Sequence, residues 1–596
     1  MPSRLRWLHR TAAALQFAAF AAFFAFVVAS NDFDWDHFLS ATEIDRRSWM
    51  LNGEAPLWSY QLCGGVTRAG DPQASGLSPL FVWVLAWGAF WGLKTAWLAL
   101  AVLGHRALAS MLEIFFRATS GRTRVSPTDR LILRTVSLAF VLGNYYVWHA
   151  HQGHFTFALG WLALAVVGYL LTAYTSGFRE RDGVVAAFLA WGYLSAGFYH
   201  SLIFFLLPMS VALIGGIAVT LLGQRLGEVP PGGSLAGLGK MVVACALGFG
   251  VALYKPLWVL EHQQVTPRTV PVNAQLVDGS TFLQTAMSQL LPTVDYHFLG
   301  GFPGWLPWGI WEKSAFTLNS WLCVAAAVAF GVGAVRPGKV SGLHRSGNAR
   351  RSGPYLRSLG LLLAALLVTA WTFAVGEQWP VSAHRLLNHF ANNSIRVAGR
   401  YQVLFALAFA WGAAMVLGRS RAVYRAYLRF GVAAVPLLLC LNLLTFWSSL
   451  RPAGALPLIG DVHDDGPEMR QVGVAKERSN FQSFMYAIIR RGDAVLNCYD
   501  PIARETRMSR ERVGRPELMS PQGKLRAGLV LPLIDTVTTQ PLPVACLQGS
   551  HFTQNTIVLD ASCPPGTCVN LNGLNVYRAA QLALDPDRDK YCRAER

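Results

Sequence analysis

Long apolar segments recur along this chain, and they restrict its fold more than any other feature. Each is about as long as a helix that crosses a bilayer core. With 53% hydrophobic and 14% charged residues, the chain is too apolar for an ordinary soluble protein. The sequence therefore predicts a polytopic α-helical membrane protein with about eleven spans. The predicted spans lie near residues 11–30, 94–116, 131–148, 155–175, 183–200, 201–223, 237–258, 316–335, 357–376, 402–418 and 430–449.

The first apolar segment follows Arg4, Arg6 and Arg10 and is longer than the apolar core of a typical signal peptide. We interpret it as an uncleaved first transmembrane helix. The run Ala29-Ser30-Asn31 keeps a cleaved signal peptide open as the alternative.

The basic residues fall mainly in short loops on one predicted side of the membrane. This pattern follows the positive-inside rule, so the N-terminus is predicted to be cytoplasmic. The same rule accounts for the net charge of +18 without a nucleic-acid partner. The predicted location is the inner (cytoplasmic) membrane of a bacterium. Basic residues of these loops are Arg117, Arg122, Arg124, Arg130, Arg179, Arg181, Arg336, Lys339, Arg345, Arg350, Arg351, Arg419, Arg421, Arg425 and Arg429.

A transmembrane domain is predicted over residues 1–450, with long outer loops at 31–93, 259–315 and 377–401. The segment from Ser78 to Gly92 is apolar but short, which favours an interfacial or re-entrant helix. A full span there would move the C-terminal region to the inner side. Residues 451–596 carry more charge and short β-type segments, so we expect a β-rich extramembrane domain in the periplasm or outside the cell.

The cysteines agree with this topology. Six of the nine fall on the predicted outer side, and an even number in an oxidising compartment favours disulfides. Cys563 and Cys568 flank a Pro-Pro-Gly-Thr turn and are the favoured pair. A metal site is the alternative, but no Cys-x-x-Cys pair supports it. The six are Cys63, Cys498, Cys546, Cys563, Cys568 and Cys592.

Acidic residues follow the first predicted span directly, as Asp32, Asp34 and Asp36. Carboxylates at the end of a membrane span are costly unless they have a role. A cluster of this kind can supply a general base or ligands for a hard metal ion. The alternative is a solvated helix start, where Asp is favoured by the helix dipole.

The first predicted outer loop contains five short motifs: Asp34-Trp35-Asp36-His37, Pro56-Leu57-Trp58-Ser59-Tyr60, Cys63-Gly64-Gly65, Asp71-Pro72-Gln73 and Ser78-Pro79-Leu80-Phe81. Further motifs are Gly153-His154 and Arg396 with Arg400-Tyr401. With these motifs, and with many spans before an outer tail, the chain resembles YfhO-like membrane proteins. These belong to the GT-C class of glycosyltransferases, which use polyprenyl-phosphate sugars.

The resemblance implies transfer of a sugar from a polyprenyl-phosphate donor to an acceptor in the cell envelope: a polysaccharide, a lipid or a protein. It implies that Asp34, or else Asp36, is the general base on the acceptor hydroxyl. Arginine side chains suit the donor phosphate, although ordinary interfacial snorkelling is the alternative for them. The candidate donor-binding residues are Asp71, Gln73, His154, Arg396, Arg400 and Tyr401.

Other possibilities stay open. His149, His151 and His154 could bind a divalent metal together with Asp32 or Asp36, but their spacing does not place all three on one helical face. No metal ligand or cofactor is therefore assigned. A transporter or flippase for lipid-linked sugars and a non-catalytic envelope glycan assembly protein are the alternative functions. No Gly-rich phosphate loop follows a strand, so a nucleotide-sugar donor is not supported.

Overall fold

The computed structural model describes residues 3–30, 33–51, 53–59, 66–122, 124–225, 233–265, 349–374, 382–390 and 398–449, together with five two-residue strands beyond residue 450. Within these ranges the chain is almost entirely helical. The predicted span 316–335 and the six cysteines of the predicted outer side lie outside the described residues. Cys245 and Cys440 are free thiols.

Fourteen helices of more than five residues are described in these ranges, and two of them contain a π-helical turn, at Leu202–Leu206 and at Tyr427–Gly431. They are α1 (Ser3–Ala29), α2 (Phe33–Leu51), α3 (Val82–Ser120), α4 (Pro127–Val141), α5 (Asn144–Gln152), α6 (Phe155–Ser176), α7 (Glu180–Ser195), α8 (Tyr199–Arg225), α9 (Leu235–Val251), α10 (Tyr254–Val265), α11 (Ala349–Ala374), α12 (Ala383–Phe390), α13 (Val403–Arg419) and α14 (421–449). Short 3-10 helices precede α3, at Pro79–Phe81, and α13, at Ala398–Gln402.

Several of these helices are long and apolar enough to cross a membrane. Six of the described helices meet that condition alone, and up to eight spans result if each bent pair, α4 with α5 and α9 with α10, is one span. This confirms the multi-span helical part of the sequence prediction. The number of spans over the whole chain stays a prediction.

Side-chain contacts define two ends of the helix bundle. At the first, which we call the loop end, α1 ends and α6 and α8 begin. Trp35 Nε1 donates to the carbonyl of Ala150 over 2.8 Å, and Gln73 Nε2 lies 3.2 Å from His200 Nδ1. Two parts of the first loop therefore contact the end of α5 and the start of α8.

The opposite end, which we call the arginine end, is organised by Asp129. This carboxylate completes a capping box with Ser126 at the start of α4. It also accepts hydrogen bonds from Arg122 at 2.9 Å and from the Tyr424 hydroxyl at 2.7 Å. The turns after α3, before α4 and before α14 are thereby held together, at the end that carries many of the predicted cytoplasmic arginines.

Close packing of α3 against α6 forms the centre of the described bundle. Trp97 and Trp161 are fully buried, with ring centroids 5.6 Å apart. Gly104 permits the approach, because a Cβ atom there would lie 2.7 Å from the Cβ of Trp161. The first and last described helices, α1 and α14, also pack together.

A break at Gly88 divides α3 near its start. Gly88 has φ 74° and ψ 168°, which is open to glycine but costly for other residues. The preceding turn lies against the continuing helix, since a Cβ atom at Gly92 would lie 2.5 Å from the Cα of Val84. The short apolar segment predicted at Ser78 to Gly92 is thus a bent entry into the long helix that ends at Ser120.

Strands are few among the described residues. In the first loop, β1 (Trp58–Ser59) pairs antiparallel with β2 (Val66–Thr67). Beyond residue 450, β3 (Gln471–Val472) pairs in parallel with β4 (Ala494–Val495) and β5 (Leu529–Val530). Strand β6 (His551–Phe552) pairs antiparallel with β7 (Ile557–Val558). The rest of 451–596 lies outside the described residues, so the β-rich domain stays a prediction.

Candidate functional site

The acidic residues of the first loop lie where α2 begins. Asp34 and Asp36 fall in the first turn of this helix, and their side chains, like Asp32, lie outside the described residues. The neighbouring Trp35 and His37 are buried. The start of α2 is therefore packed into the protein.

Trp35 fixes this turn against the junction of α5 and α6. Its indole N–H donates to the Ala150 carbonyl. Gly153, with φ +79°, lies against Trp35 as well, since a Cβ atom at Gly153 would be 2.7 Å from the backbone nitrogen of Trp35. The start of α2 thus lies directly against the turn that carries the predicted His154.

Two histidines of that turn contact each other. His149 Nδ1 and His154 Nδ1 are 2.9 Å apart, so one of the two rings must carry its proton on Nδ1. The fully buried His149 ring stacks on Phe157 at a centroid distance of 3.7 Å. Within the described residues, no group of three or more His, Cys, Asp or Glu side chains could hold a metal ion.

His200 connects the first loop to α8. Its Nδ1 lies 3.2 Å from Gln73 Nε2 and 2.8 Å from Thr156 Oγ1. Gly197, with φ +86°, allows this approach, because a Cβ atom there would lie 2.7 Å from the Gln73 carbonyl oxygen. Gln73 Oε1 is buried without a hydrogen-bond partner among the described atoms. The amide is therefore held in place with one acceptor still unused.

Arg400, in the 3-10 helix that precedes α13, approaches the Phe157 ring. Its Cζ lies 5.1 Å from the centroid of Phe157 and 5.7 Å from that of Phe204. The neighbouring Tyr401 is buried and packs on Phe204 at 4.9 Å. The predicted Arg396 lies outside the described residues.

These contacts define one group, which we call the imidazole–arginine cluster. Three imidazoles and one guanidinium surround the Phe157 ring, and the amide of Gln73 joins them through His200. Imidazole, guanidinium and amide N–H groups can all donate to phosphate oxygens, and guanidinium does so bidentately. Members of the cluster are His149, His154, His200, Arg400 and Gln73.

Asp71 belongs to a separate buried network that holds the first loop. Arg68 donates from Nε to Asp45 Oδ1 over 2.8 Å and from Nη2 to Asp45 Oδ2 over 3.1 Å. The same guanidinium pairs with Asp71. Lys255 of α10 donates to the Asp71 carbonyl over 2.6 Å. We call these four residues the loop network; it ties α2, the loop and α10 together.

The two carboxyls of the network respond differently to their surroundings. Burial would raise the pKa of Asp71, but Arg68, Lys255, the Gln73 N–H and His37 together hold it below its usual value. Burial dominates at Asp45 and raises its pKa despite the contact with Arg68. Asp71 therefore holds its negative charge against partners within the protein, and its side chain fixes the backbone of Gln73.

Three contributors were not anticipated from the sequence: Arg68, His200 and Lys94. Lys94 lies fully buried in α3 and donates to the carbonyls of Val27, at 2.6 Å, and Ser30. A lysine inside an apolar run is itself a signal, because such residues carry a cost that usually marks a specific role. His200 had no comparable signal.

No model of a known protein family matches the chain, and no curated protein matches it. Among solved structures, it is similar to the crystal structure of ArnT from Cupriavidus metallidurans bound to undecaprenyl phosphate. The TM-score is 0.35 at 13% sequence identity, over 82% of this chain and 86% of that one. At this score the likeness does not bear on individual residues, and the resemblance to YfhO-like proteins stays a prediction.

Proposed function

We propose that this protein is an integral-membrane glycosyltransferase of the GT-C type. It transfers a sugar from a polyprenyl-phosphate donor to a cell-envelope acceptor, with a carboxylate of the first loop as general base. The observation that carries the proposal is the convergence at the loop end. There the start of α2, the Gln73 segment and Arg400 meet around the histidine turn between α5 and α6.

The imidazole–arginine cluster suits the phosphate of the donor. When the bond between the anomeric carbon and the phosphate oxygen breaks, negative charge grows on that phosphate, and preorganised N–H donors stabilise it. Arg400 and His200 supply such donors. The polyprenyl chain of the donor would stay in the bilayer, beside the apolar helices. Arg396 and Tyr401 stay in the proposal as neighbours of Arg400, and His154 as the partner of His149.

Helical register distinguishes the two candidate bases, and we take Asp34 as the base. At 3.6 residues per turn, position 34 falls on the same face of α2 as Ala41 and Asp45. That face meets the loop network, since Arg68 contacts both the Ala41 carbonyl and the Asp45 carboxylate. Position 36 falls on a different face, so Asp36 is the alternative.

The chemical step balances without a further reactant. The acceptor hydroxyl oxygen forms a bond to the anomeric carbon, and its proton passes to the Asp34 carboxylate. The sugar–phosphate bond breaks, and its electron pair leaves with the polyprenyl phosphate. A positioned base of this kind contributes roughly 10²- to 10⁴-fold in rate.

The arrangement of the ends supports catalysis on the outer face of a bacterial inner membrane. The arginine end would face the cytoplasm by the positive-inside rule, which puts the loop end and the cluster outside. Helix α14 starts beside Asp129 at the arginine end and runs back, where Asn442 bonds Asn144 over 2.7 Å. Residues 451–596 would then follow on the outer side.

The test is turnover of polyprenyl-phosphate sugars by the full-length protein in nanodiscs, with envelope extract as acceptor. Release of polyprenyl phosphate is followed by mass spectrometry, with and without EDTA, which also decides metal dependence. We expect Asp34→Asn to lower turnover by about 10²- to 10⁴-fold while donor binding, measured by native mass spectrometry, stays unchanged. Asp182→Asn at the arginine end, where Asp182 pairs only loosely with Arg181 at 3.5 Å, is the matched control.

Three results would refute the proposal. If neither Asp34→Asn nor Asp36→Asn lowers turnover, neither proposed carboxylate acts as the base. If the wild-type protein binds the donor but moves it across the bilayer uncleaved, the protein is a lipid-linked sugar transporter. If the protein binds envelope glycan but neither releases polyprenyl phosphate nor moves the donor across the bilayer, it is a non-catalytic assembly protein.

A further inference from the structure

We infer that Lys94 is a positioning residue, which fixes the first turn of α2 against the histidine turn. The inference rests on the proposed function, because that first turn carries the candidate base. Lys94 does not touch the imidazole–arginine cluster in any described contact. Its effect therefore passes through Trp35 and the end of α1.

Lys94 closes the end of α1 from another helix. The last carbonyls of a helix have no partner within it and need one elsewhere. Lys94 Nζ donates to Val27, in the last turn of α1, and to Ser30, just beyond it. A lysine amine can donate two hydrogen bonds in either of its protonation states. The link between α1 and α2 is thus held from α3.

The same amine holds the Trp35 ring. Nζ lies 3.5 Å from the centroid of Trp35, whose own N–H is bonded to Ala150. Trp35 is fully buried, so its ring cannot turn without displacing its neighbours. Position 34 is adjacent to Trp35 in the chain, so holding Trp35 in place also holds the backbone at position 34.

Gly153 completes this clamp from the opposite side. Any side chain there would meet the Trp35 nitrogen at 2.7 Å and its Cγ at 2.8 Å, and its φ of +79° disfavours other residues. Lys94, Trp35 and Gly153 therefore form a continuous contact from α3 to the histidine turn, which we call the Trp35 clamp. A displacement of about 1 Å at a reacting group can cost roughly 10²-fold in rate.

The experiment uses the full-length protein in nanodiscs and two variants that loosen the clamp from opposite sides. Lys94→Met keeps an unbranched, apolar side chain that is one atom shorter and removes both hydrogen bonds. Gly153→Ala adds the Cβ that meets Trp35. Gly177→Ala is the matched control, because Gly177 has φ +85° but nothing within 4 Å of its Cβ position. Its ψ of 163°, against 12° at Gly153, makes alanine at least as costly for the backbone there, so it tests a strained glycine far from Trp35.

For both clamp variants we expect kcat per folded molecule to fall by roughly 10- to 100-fold, while donor affinity changes less than about threefold. Hydrogen–deuterium exchange should quicken in peptides covering residues 27–40 and stay unchanged at the arginine end. Gly177→Ala should match the wild type in all three measurements. A purely structural role would instead lower the yield of folded protein and leave its kcat unaltered.

Each arm can overturn the inference. Unchanged exchange at residues 27–40 in both clamp variants would show that the clamp does not hold α2. Faster exchange with unchanged kcat would show that the clamp does not position the base. If the wild type turns over no donor, the proposed function fails by itself, and the exchange data still decide whether the clamp exists. If Lys94→Met does not fold, the comparison of Gly153→Ala with Gly177→Ala decides whether the clamp positions the base.

Discussion

Replacing Arg68 should release the first loop from α2. Arg68 is 3% exposed and makes two hydrogen bonds to Asp45 as well as the pair with Asp71. In the variant Arg68→Gln, two buried carboxyls keep Lys255 as their only neighbouring cation in the loop network. Removing one partner of a buried ion pair typically costs about 3–5 kcal/mol. The loop should therefore open far more often.

Hydrogen–deuterium exchange measures that opening directly. At about 1.4 kcal/mol per tenfold, amides of residues 41–51 and 66–78 should exchange roughly 10²- to 10⁴-fold faster in Arg68→Gln. The double variant Asp45→Asn with Arg68→Gln removes one negative and one positive charge together. It should exchange more slowly than Arg68→Gln alone, because fewer uncompensated charges stay buried.

Arg122→Gln is the control at the other end of the bundle. Arg122 is 51% exposed, and its partner Asp129 keeps the bonds to Ser126 and Tyr424. A pair of this kind is worth about 0–1 kcal/mol, so exchange there should change only slightly. The reasoning fails if Arg68→Gln changes exchange in the loop less than tenfold, or if exchange quickens equally at residues 126–135.

Three other outcomes are expected. Asp71→Asn should lower the thermal midpoint by a constant amount above pH about 4, because the lowered pKa of Asp71 stabilises the fold when ionised; this difference should shrink as the pH falls through that lowered pKa. Arg400→Gln should weaken donor binding about tenfold or more in native mass spectrometry, whereas Arg385→Gln, which removes an exposed arginine beside the same end, should not. Gly104→Ala should destabilise by about 1–3 kcal/mol, since its Cβ would lie 2.7 Å from the Cβ of Trp161, while Gly239→Ala, with nothing within 4 Å, should be neutral or stabilising in thermal denaturation.

The long apolar helices could be predicted because their signal is summed over many residues. Predicted spans at 155–175 and 402–418 match α6 and α13 closely. Predicted boundaries were wrong where a turn interrupts the apolar run. The boundary predicted at residue 200 lies inside helix in the structure, because the turn at Ala196–Phe198 ends α7 and α8 begins at Tyr199. A tight turn of apolar and small residues leaves hydropathy almost unchanged.

The candidate site could be predicted only where a motif marked it. Gln73, His154 and Arg400 were all predicted; His154 and Arg400 contact Phe157, and Gln73 joins the same group through His200. Their meeting place was not predictable, because it depends on the long-range contact of Gln73 with His200. Asp71 was predicted to bind the donor, and that role is untested. Its partner Arg68 was overlooked, since a lone arginine in a polar loop resembles any solvated residue.

The packing of α1 against α14 has a consequence for biogenesis. Asp129 and Asn144 receive their bonds from Tyr424 and Asn442, almost three hundred residues later in synthesis. Until the ribosome has delivered α14, the bonds from Tyr424 and Asn442 cannot form, and the side of α1 that α14 covers has no partner from this helix. The described bundle is therefore completed only when its last helix has been synthesised.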